Sequence, residues 1–303
     1  MKKLILGIFL ILSFAYVQAQ TPDSQAYGIK LGAGYGGSNP QGNAGISFSA
    51  SNKIKMWNKV GDNPFEEVEI KNEISGTYTT SSVNGLDFIT ISWKGVQEKF
   101  LYLLNNKERN IYLYKADSDP YFGKIQREDR WDNAIVFGDS SWVKASSSFQ
   151  ETIGGKTVIY SPDKLGYKIG ECWVPAKPLN EKLTLSIKYE KIPLNTQRNF
   201  SLGDFYISSG FVSFSKPHLY SENARPKKIR LSSNTGKSIT VELKDTPHFQ
   251  LLPIKGAGMF FVKEYGSSYD LTAELTIEIL EVYPGSKYQD LCVNAICYYW
   301  SDM

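Results

Sequence analysis

The feature that most constrains the fold is the alternation of apolar and polar residues in many short segments. It is clearest at residues 89–93, 183–189, 239–243 and 275–279. Because successive side chains of a strand point to opposite faces, a period of two predicts half-buried β-strands. The 19 Tyr and 16 Phe residues suit strands as well. No segment keeps a helical period, so the sequence predicts an all-β protein.

Turn residues and a change in charge density divide the chain into two β units. Asn84-Gly85 separates two alternating segments and favours a tight hairpin, since both residues accept a positive φ. Residues 100–104 are apolar at every position, which predicts a strand that is apolar on both faces. The charged segment 124–141 lacks alternation and resembles a connection, so we place a boundary near Ser140.

The predicted organisation is therefore a small antiparallel β-sheet or barrel module over residues 20–140 and an antiparallel sandwich over residues 141–303. The Gly-rich residues 20–50 are expected to form a loose lead-in or edge strands.

The amino terminus predicts export. Lys2 and Lys3 precede an apolar run that ends near Val17, and Val17-Gln18-Ala19 has the small-residue pattern of a cleavage site. The run is shorter than the roughly 18–20 residues that a membrane helix needs. Residues 1–19 are thus interpreted as a signal peptide, and the mature protein is expected to be secreted or periplasmic, without a membrane span.

The net charge argues against nucleic acid and anionic lipid as partners. The chain carries 34 Lys and Arg against 31 Asp and Glu, for a formal net charge of +3. Removing residues 1–19 takes away two lysines and no acidic residue, which lowers +3 to +1. A nearly neutral chain lacks the positive field that attracts either polyanion.

The three cysteines leave the disulfide pattern open. Cys172, Cys292 and Cys297 form an odd set, so at least one thiol remains unpaired within the chain. In a regular strand, Cys292 and Cys297 would point to opposite faces, and pairing them requires a bulge or a turn. A bond from Cys172 to either of the others would close a long loop. Three buried thiols without a bond are the alternative.

A series of segments in the second half occurs in the order and spacing of a known family. The segments are residues 144–151, 155–165, 173–174, 209–211, 220–229, 243–245 and 279–290. Over about residues 142–303 this series resembles the discoidin-like (F5/8 type C-like) domain called the glycan-binding or translocation domain in secreted bacterial NAD glycohydrolases. Residues 65–124 also resemble small β modules that precede such domains in other secreted bacterial proteins.

The resemblance implies a galactose-binding-like jelly-roll sandwich that binds glycans through loops at one end and performs no catalysis. The NAD-cleaving domain has no counterpart in this chain. The sequence departs from the family pattern at Pro175-Ala176, where Glu-Gly is usual. It departs again at residues 292–296, which read Cys-Val-Asn-Ala-Ile in place of Cys-Ile-Ser-Glu-Ile.

Sugar binding requires an aromatic face for the C–H side of the ring and polar groups for the hydroxyls. The candidate glycan-binding residues are Trp142, Trp173, Tyr220, Asn223, Arg225 and Asp245. Structural roles are the alternative for each: Trp173 as a core residue, Asn223 and Arg225 as ties between a loop and the sheet, and Asp245 as a turn residue.

The hypothesis that the protein is an enzyme finds little support in the sequence. The only two histidines, His218 and His248, each sit beside a proline, and no zinc-ligand or nucleophile motif is present. We expect no enzyme activity and no cofactor, although the discoidin-like fold allows a structural calcium ion. The leading hypothesis is a carbohydrate-binding protein. The rivals are an envelope protein–protein interaction or structural module and, third, a toxin-like or glycan-processing enzyme.

Overall fold

Most of the described part of the chain forms β-strands and very little of it is helical, which confirms the all-β prediction. The computed structural model describes residues 26–29, 44–49, 51–60, 69–107, 110–118, 134–136, 143–166, 168–193, 204–233, 236–254, 261–265 and 268–299. Residues 1–19 and Trp142 lie outside these ranges, so the signal peptide and this candidate platform remain predictions. No helix in the described ranges is long and apolar enough to cross a membrane.

The first unit is a closed barrel of seven strands. The strands are β1 (Ala26–Ile29), β2 (Ala44–Phe48), β3 (Lys53–Val60), β4 (Glu69–Val83), β5 (Leu86–Trp93), β6 (Val96–Asn105) and β7 (Asn110–Tyr114). Consecutive strands pair antiparallel, as predicted, whereas β1 pairs with β7 in parallel. In an up-and-down meander with an odd number of strands, the first and last strands run in the same direction, so closure requires a parallel pair. The first two strands lie in the segment for which a loose lead-in or edge strands were expected, and pairing on both sides makes them part of the closed barrel.

The predicted hairpin turn is confirmed. Asn84 and Gly85 join β4 to β5 with φ values of 53° and 85°. Lys94 and Gly95 join β5 to β6 with φ values of 45° and 79°. Two successive positive φ values match the backbone twist of antiparallel strands, which explains why these turns favour Asn and Gly.

Alternate residues of the barrel strands fill its interior. On β5, β6 and β7 these are Ile89, Ile91, Phe100, Tyr102, Leu104, Ile111 and Leu113. Phe48 and Tyr78 meet edge to face inside, with ring centroids 5.0 Å apart. The interior is therefore a packed core.

The second unit is a sandwich of two sheets with a separate hairpin. The larger sheet has the order β15-β14-β18-β12-β9, and β17 also pairs with β18; the smaller has the order β16-β13-β19-β8. The elements are β8 (Ala134–Val136), β9 (Val143–Ala145), β10 (Gln150–Ile153), β11 (Lys156–Ile159), β12 (Lys182–Pro193), β13 (Asp204–Ser209), α1 (His218–Glu222), β14 (Arg225–Ser233), β15 (Ser238–Glu242), β16 (Gln250–Leu252), β17 (Phe261–Tyr265), β18 (Ser268–Tyr283) and β19 (Val293–Tyr299), with a 3-10 turn at Pro162–Lys164. Strand β8, which ends before the predicted boundary near Ser140, pairs with β19.

The core of the sandwich lies between its two sheets. Leu183 and Leu185 of β12, with Ile277 and Ile279 of β18, face Phe205 and Ile207 of β13 across this core. Apolar alternation on β12 and β18 thus places one face inward, as the sequence predicts. The ring of Phe205 packs against Tyr298, with centroids 4.7 Å apart.

The barrel and the sandwich share an apolar cluster, which we call the interface cluster. Its barrel members lie on the outer faces of β5–β7, and its other members belong to the sandwich and its connections. The cluster contains Leu86, Phe88, Leu101, Leu103, Tyr112, Tyr114, Ile169, Tyr206, Val212, Tyr220, Phe249, Ala295 and Cys297. This contact explains why residues 100–104 are apolar throughout: alternate residues fill the barrel and the others contact the sandwich.

Polar groups complete the same interface. The Leu104 amide donates to His248 Nδ1 at 3.3 Å, so Nε2 carries the ring proton and donates to Asp87 Oδ2 at 3.0 Å. Asp117, after β7, accepts hydrogen bonds from the amides of Phe214 and Ser215. The buried His248–Asp87 contact and the partly exposed contacts of Asp117 fix the position of the barrel on the sandwich.

Candidate functional site

Arg225 organises four of the predicted site residues into one cluster. It begins β14, which follows the short helix α1 after two intervening residues. Its Nε and Nη2 donate to the two carboxylate oxygens of Asp245 at 2.7 and 2.8 Å, and its Nη1 donates to the carbonyls of Tyr220 and Asn223 at 3.0 and 2.6 Å. The guanidinium also lies 5.2 Å from the centroid of the Tyr220 ring. We call these four residues the Arg225 cluster.

The Arg225 cluster is largely closed to a ligand. Tyr220, Asn223 and Arg225 are buried, and the side-chain amide of Asn223 donates to the Leu219 carbonyl at 2.8 Å. Burial, followed by the charge of Asp245, raises the pKa of the Tyr220 hydroxyl well above its usual range. Only the Asp245 side chain keeps substantial exposure, at 38%. The cluster therefore connects α1 and the start of β14 to the turn that contains Asp245. This is the structural role, a tie between a loop and the sheet, that the sequence offered as the alternative to glycan binding.

Trp173 is separate from the Arg225 cluster. It is fully buried in the sandwich core, and its indole Nε1 donates to the Ser147 carbonyl at 3.1 Å. A ring with no exposed face offers no stacking platform in this structure. The structure thus brings together Tyr220, Asn223, Arg225 and Asp245 but places Trp173 elsewhere.

A second group of side chains has the exposure that a binding site requires. Phe149, just before β10, stacks on Tyr160, just after β11, with ring centroids 6.1 Å apart and an interplanar angle of 28°. Phe211, just after β13, packs with them over a small buried cluster. All three rings are half-buried. Each lies on a connection between strands, where sequence variation does not disturb the sheets.

Two carboxylates accompany these rings. The Tyr160 hydroxyl donates to Glu151 at 2.7 Å, and burial, followed by this hydrogen bond, raises the pKa of the hydroxyl. Burial, followed by the charge of Glu151, raises the pKa of Asp290. Glu151 and Asp290 thus lie close enough to influence each other. We call the five residues Phe149, Tyr160, Phe211, Glu151 and Asp290 the aromatic–carboxylate patch.

The aromatic–carboxylate patch combines the two groups that saccharides need. Ring faces contact the C–H side of a sugar, and carboxylate oxygens accept hydrogen bonds from its hydroxyls. All five residues lie within the segments that carry the family resemblance, yet none was singled out as a site residue. Their exposure depends on how separate connections meet, which the sequence pattern does not contain.

The three cysteines are buried and lie in two different places. Cys172 and Cys292 belong with Val174 to the small cluster beneath the patch, whereas Cys297 lies in the interface cluster. Burial, followed by a hydrogen bond with Cys292, raises the pKa of Cys172 well above its usual range. The structure therefore distinguishes one neighbouring pair among the three pairings that the sequence left open.

Metal ligands do not converge within the described ranges. No group of three or more His, Cys, Asp or Glu side chains there is arranged to hold a metal ion. The two histidines lie apart: His218 begins α1, and His248 is buried at the interface between the units. A structural calcium ion remains a prediction.

Comparison with known proteins supports the interpretation of the second half. No curated protein matches the chain. A family model does match part of the sandwich, including Phe211, Arg225, Asp245 and Asp290, while Phe149 and Tyr160 precede the matched residues. Residues 189–299 match the NAD glycohydrolase translocation F5/8 type C domain, so this part of the chain is similar to the family that the ordered segments predicted.

Proposed function

We propose that the protein is an exported carbohydrate-binding protein that holds its ligand at the aromatic–carboxylate patch. The stacked, half-exposed rings of Phe149 and Tyr160 beside Glu151 carry this proposal. The family match supports it, because it identifies a discoidin-like module in the same unit. The predicted signal peptide supports export.

Binding would combine ring contact with hydrogen bonds from the sugar. The aromatic faces remove C–H surface from water, and the carboxylates of Glu151 and Asp290 accept hydroxyl protons. The Tyr160–Glu151 hydrogen bond holds one ring and one carboxylate in a fixed relation, which reduces the ordering cost of binding. A shallow surface of this kind gives weak monovalent affinity, and multivalent presentation would strengthen it. We propose no chemical step on the bound sugar.

The test is a glycan array probed with the full-length mature chain. The complete chain is needed because the sandwich shares the interface cluster with the barrel, and removing the barrel would expose Tyr206 and Phe249. We expect binding to a restricted set of neutral glycans. No binding by a folded sample to any glycan would contradict the proposal.

Patch variants locate the binding surface. Tyr160→Ala removes one ring of the stacked pair and should weaken binding at least tenfold, since aromatic contacts contribute about 0.5–1.5 kcal/mol beyond the area they bury. Tyr160→Phe keeps the ring and should retain more of the affinity. Leu251→Ala, which truncates an exposed apolar side chain on β16, is the matched control and should bind normally. Equal binding by all three variants would exclude the patch.

A protein partner is the second candidate, and the β10–β11 hairpin favours it. Within the described residues its two strands pair only with each other, and Ile153 and Ile159 are exposed. Unpaired strand edges with apolar side chains are suited to pairing with an extended segment of another chain. Retention of one envelope protein by immobilised full-length chain, unchanged by free sugar and lost on Ile159→Lys, would favour this candidate.

An enzyme is the third hypothesis, and it is tested by turnover. We expect the purified chain to cleave neither NAD nor glycosidic bonds. Turnover that follows the protein through purification would overturn this expectation.

A further inference from the structure

Two of the three cysteines are each next to one member of the same isolated β-bridge. Trp173 and Val293 form an isolated antiparallel pair in which each amide donates to the other residue's carbonyl, both at 3.0 Å. Cys172 and Cys292 each precede one member of this pair. Because side chains alternate along extended chain, both cysteines point away from the side that Trp173 and Val293 share. They are diagonal neighbours on one face.

The side chains meet in the cluster beneath the aromatic–carboxylate patch. Cys172, Cys292 and Val174 are buried together, with Phe149, Tyr160 and Phe211 packed against them. Cys172 lies outside any strand, so its backbone is not held at the spacing of a regular ladder. Cys297 is on β19, in the interface cluster, and is not a member of this group.

We propose that Cys172 and Cys292 form a disulfide as the chain folds in an oxidising compartment, and that Cys297 remains a thiol. A small-molecule disulfide, such as oxidised glutathione, serves as the oxidant. One cysteine thiolate attacks this disulfide and releases one glutathione thiol. The other cysteine thiolate then attacks the mixed disulfide, releases the second glutathione thiol and leaves the Cys172–Cys292 bond.

Because both cysteines become buried on folding, the disulfide would form before folding is complete. The thiolate is the attacking species, and the folded environment raises the pKa of Cys172 and so disfavours its thiolate. Cys172 is 0% and Cys292 2% exposed, which shields both from an oxidant after folding. Oxidation therefore takes place while the segments are coming together, and the finished core then protects the bond from reduction.

The bond would join two segments that are far apart in sequence and lie under the same surface. The closed loop contains about 120 residues, a length at which cross-linking removes much of the freedom of the unfolded chain. The linked residues support Phe149, Tyr160 and Phe211 from below. This consequence for the patch rests on the proposed function, whereas the existence of the disulfide does not.

The experiment is oxidative refolding of the full-length mature chain with peptide mapping. Denatured, reduced protein is refolded in a mixture of oxidised and reduced glutathione, unfolded again in denaturant without reductant so that buried thiols can react, alkylated, digested without reductant and analysed by mass spectrometry. We expect the alkylated thiols to fall from three to one, a linked peptide containing Cys172 and Cys292, and alkylation of Cys297. A folded product with three alkylated thiols, or a bond that includes Cys297, would overturn the proposal.

Cysteine variants separate the assigned pairing from adventitious oxidation. Cys297→Ser should still lose both remaining thiols, while Cys172→Ser and Cys292→Ser should each keep two. Because the wild-type peptide map identifies the pair by itself, failure of a variant to fold leaves the test intact. Glycan binding measured on the oxidised and reduced wild type is a separate readout, so loss of the proposed function would not be mistaken for loss of the bond.

Discussion

Leu103→Ala should destabilise the barrel and the sandwich together. Leu103 is fully buried on the outer face of β6, in the interface cluster that both units share. Replacing a buried leucine by alanine costs about 2–5 kcal/mol, since it removes apolar contact and leaves a cavity. At about 2–4 °C per kcal/mol for a chain of this size, a loss of 3 kcal/mol lowers Tm by about 6–12 °C.

The assay is thermal unfolding followed by far-UV circular dichroism, with hydrogen exchange measured separately on β6, β14 and β18. We expect one transition that moves as a whole, and faster exchange on all three strands. Val96→Ala is the matched control, because it truncates a side chain on the same strand that is 45% exposed and should change stability by at most about 0.5 kcal/mol.

The result that would refute this reasoning is a pair of separate transitions, of which only one moves. Unchanged exchange on β14 and β18 in the Leu103→Ala variant would lead to the same conclusion. Either outcome would mean that the sandwich does not depend on the shared cluster for its stability.

Four further substitutions, the last serving as a control for the third, test individual contacts. Arg225→Lys keeps the charge but loses the planar fork that holds one carboxylate and two carbonyls, so the urea midpoint should fall by the equivalent of about 1–3 kcal/mol. The raised pKa of Asp290 favours folding below about pH 4, where both states are protonated, and this advantage is lost as pH rises through the folded pKa. Asp290→Asn should therefore unfold at a higher urea concentration than wild type at pH 7, but not at pH 3, and an unchanged difference across this range would contradict the assignment. Gly85→Ala and Gly95→Ala both place alanine at a positive φ, but only the first puts a Cβ 2.8 Å from the Tyr220 ring, so its Tm should fall further.

The strands could be predicted because their signal is local. The alternation at 183–189 and 275–279 reports which side chains face the core, and β12 and β18 occupy these segments. Asn84-Gly85 specifies its turn through backbone sterics alone. The start of the barrel was harder to predict from the sequence, because the short strand β1 has little local signal and is held by its pairing with β2 and β7.

The candidate site could be predicted only in part from the sequence. Residue chemistry identified Tyr220, Arg225 and Asp245, which do lie together, but it could not indicate that a closed hydrogen-bond network occupies them. The same chemistry did not distinguish Trp173 in the core from Tyr160 at the surface. Burial depends on what the other connections place above a side chain, and that information is distributed over the whole chain.

The sequence by itself determined that the chain is built mainly of antiparallel strand pairs, and its ordered segments predicted the similarity of residues 189–299 to a known family. These properties follow from the period of two, from turn sterics and from residue identity, all of which act between near neighbours. Only the tertiary structure decided that the second apolar face of β6 packs on the sandwich, that Cys172 lies beside Cys292, and that Phe149 and Tyr160 form a half-buried stack. Contacts between residues far apart in sequence arise when sheets close and pack, and no local pattern specifies which partners will meet.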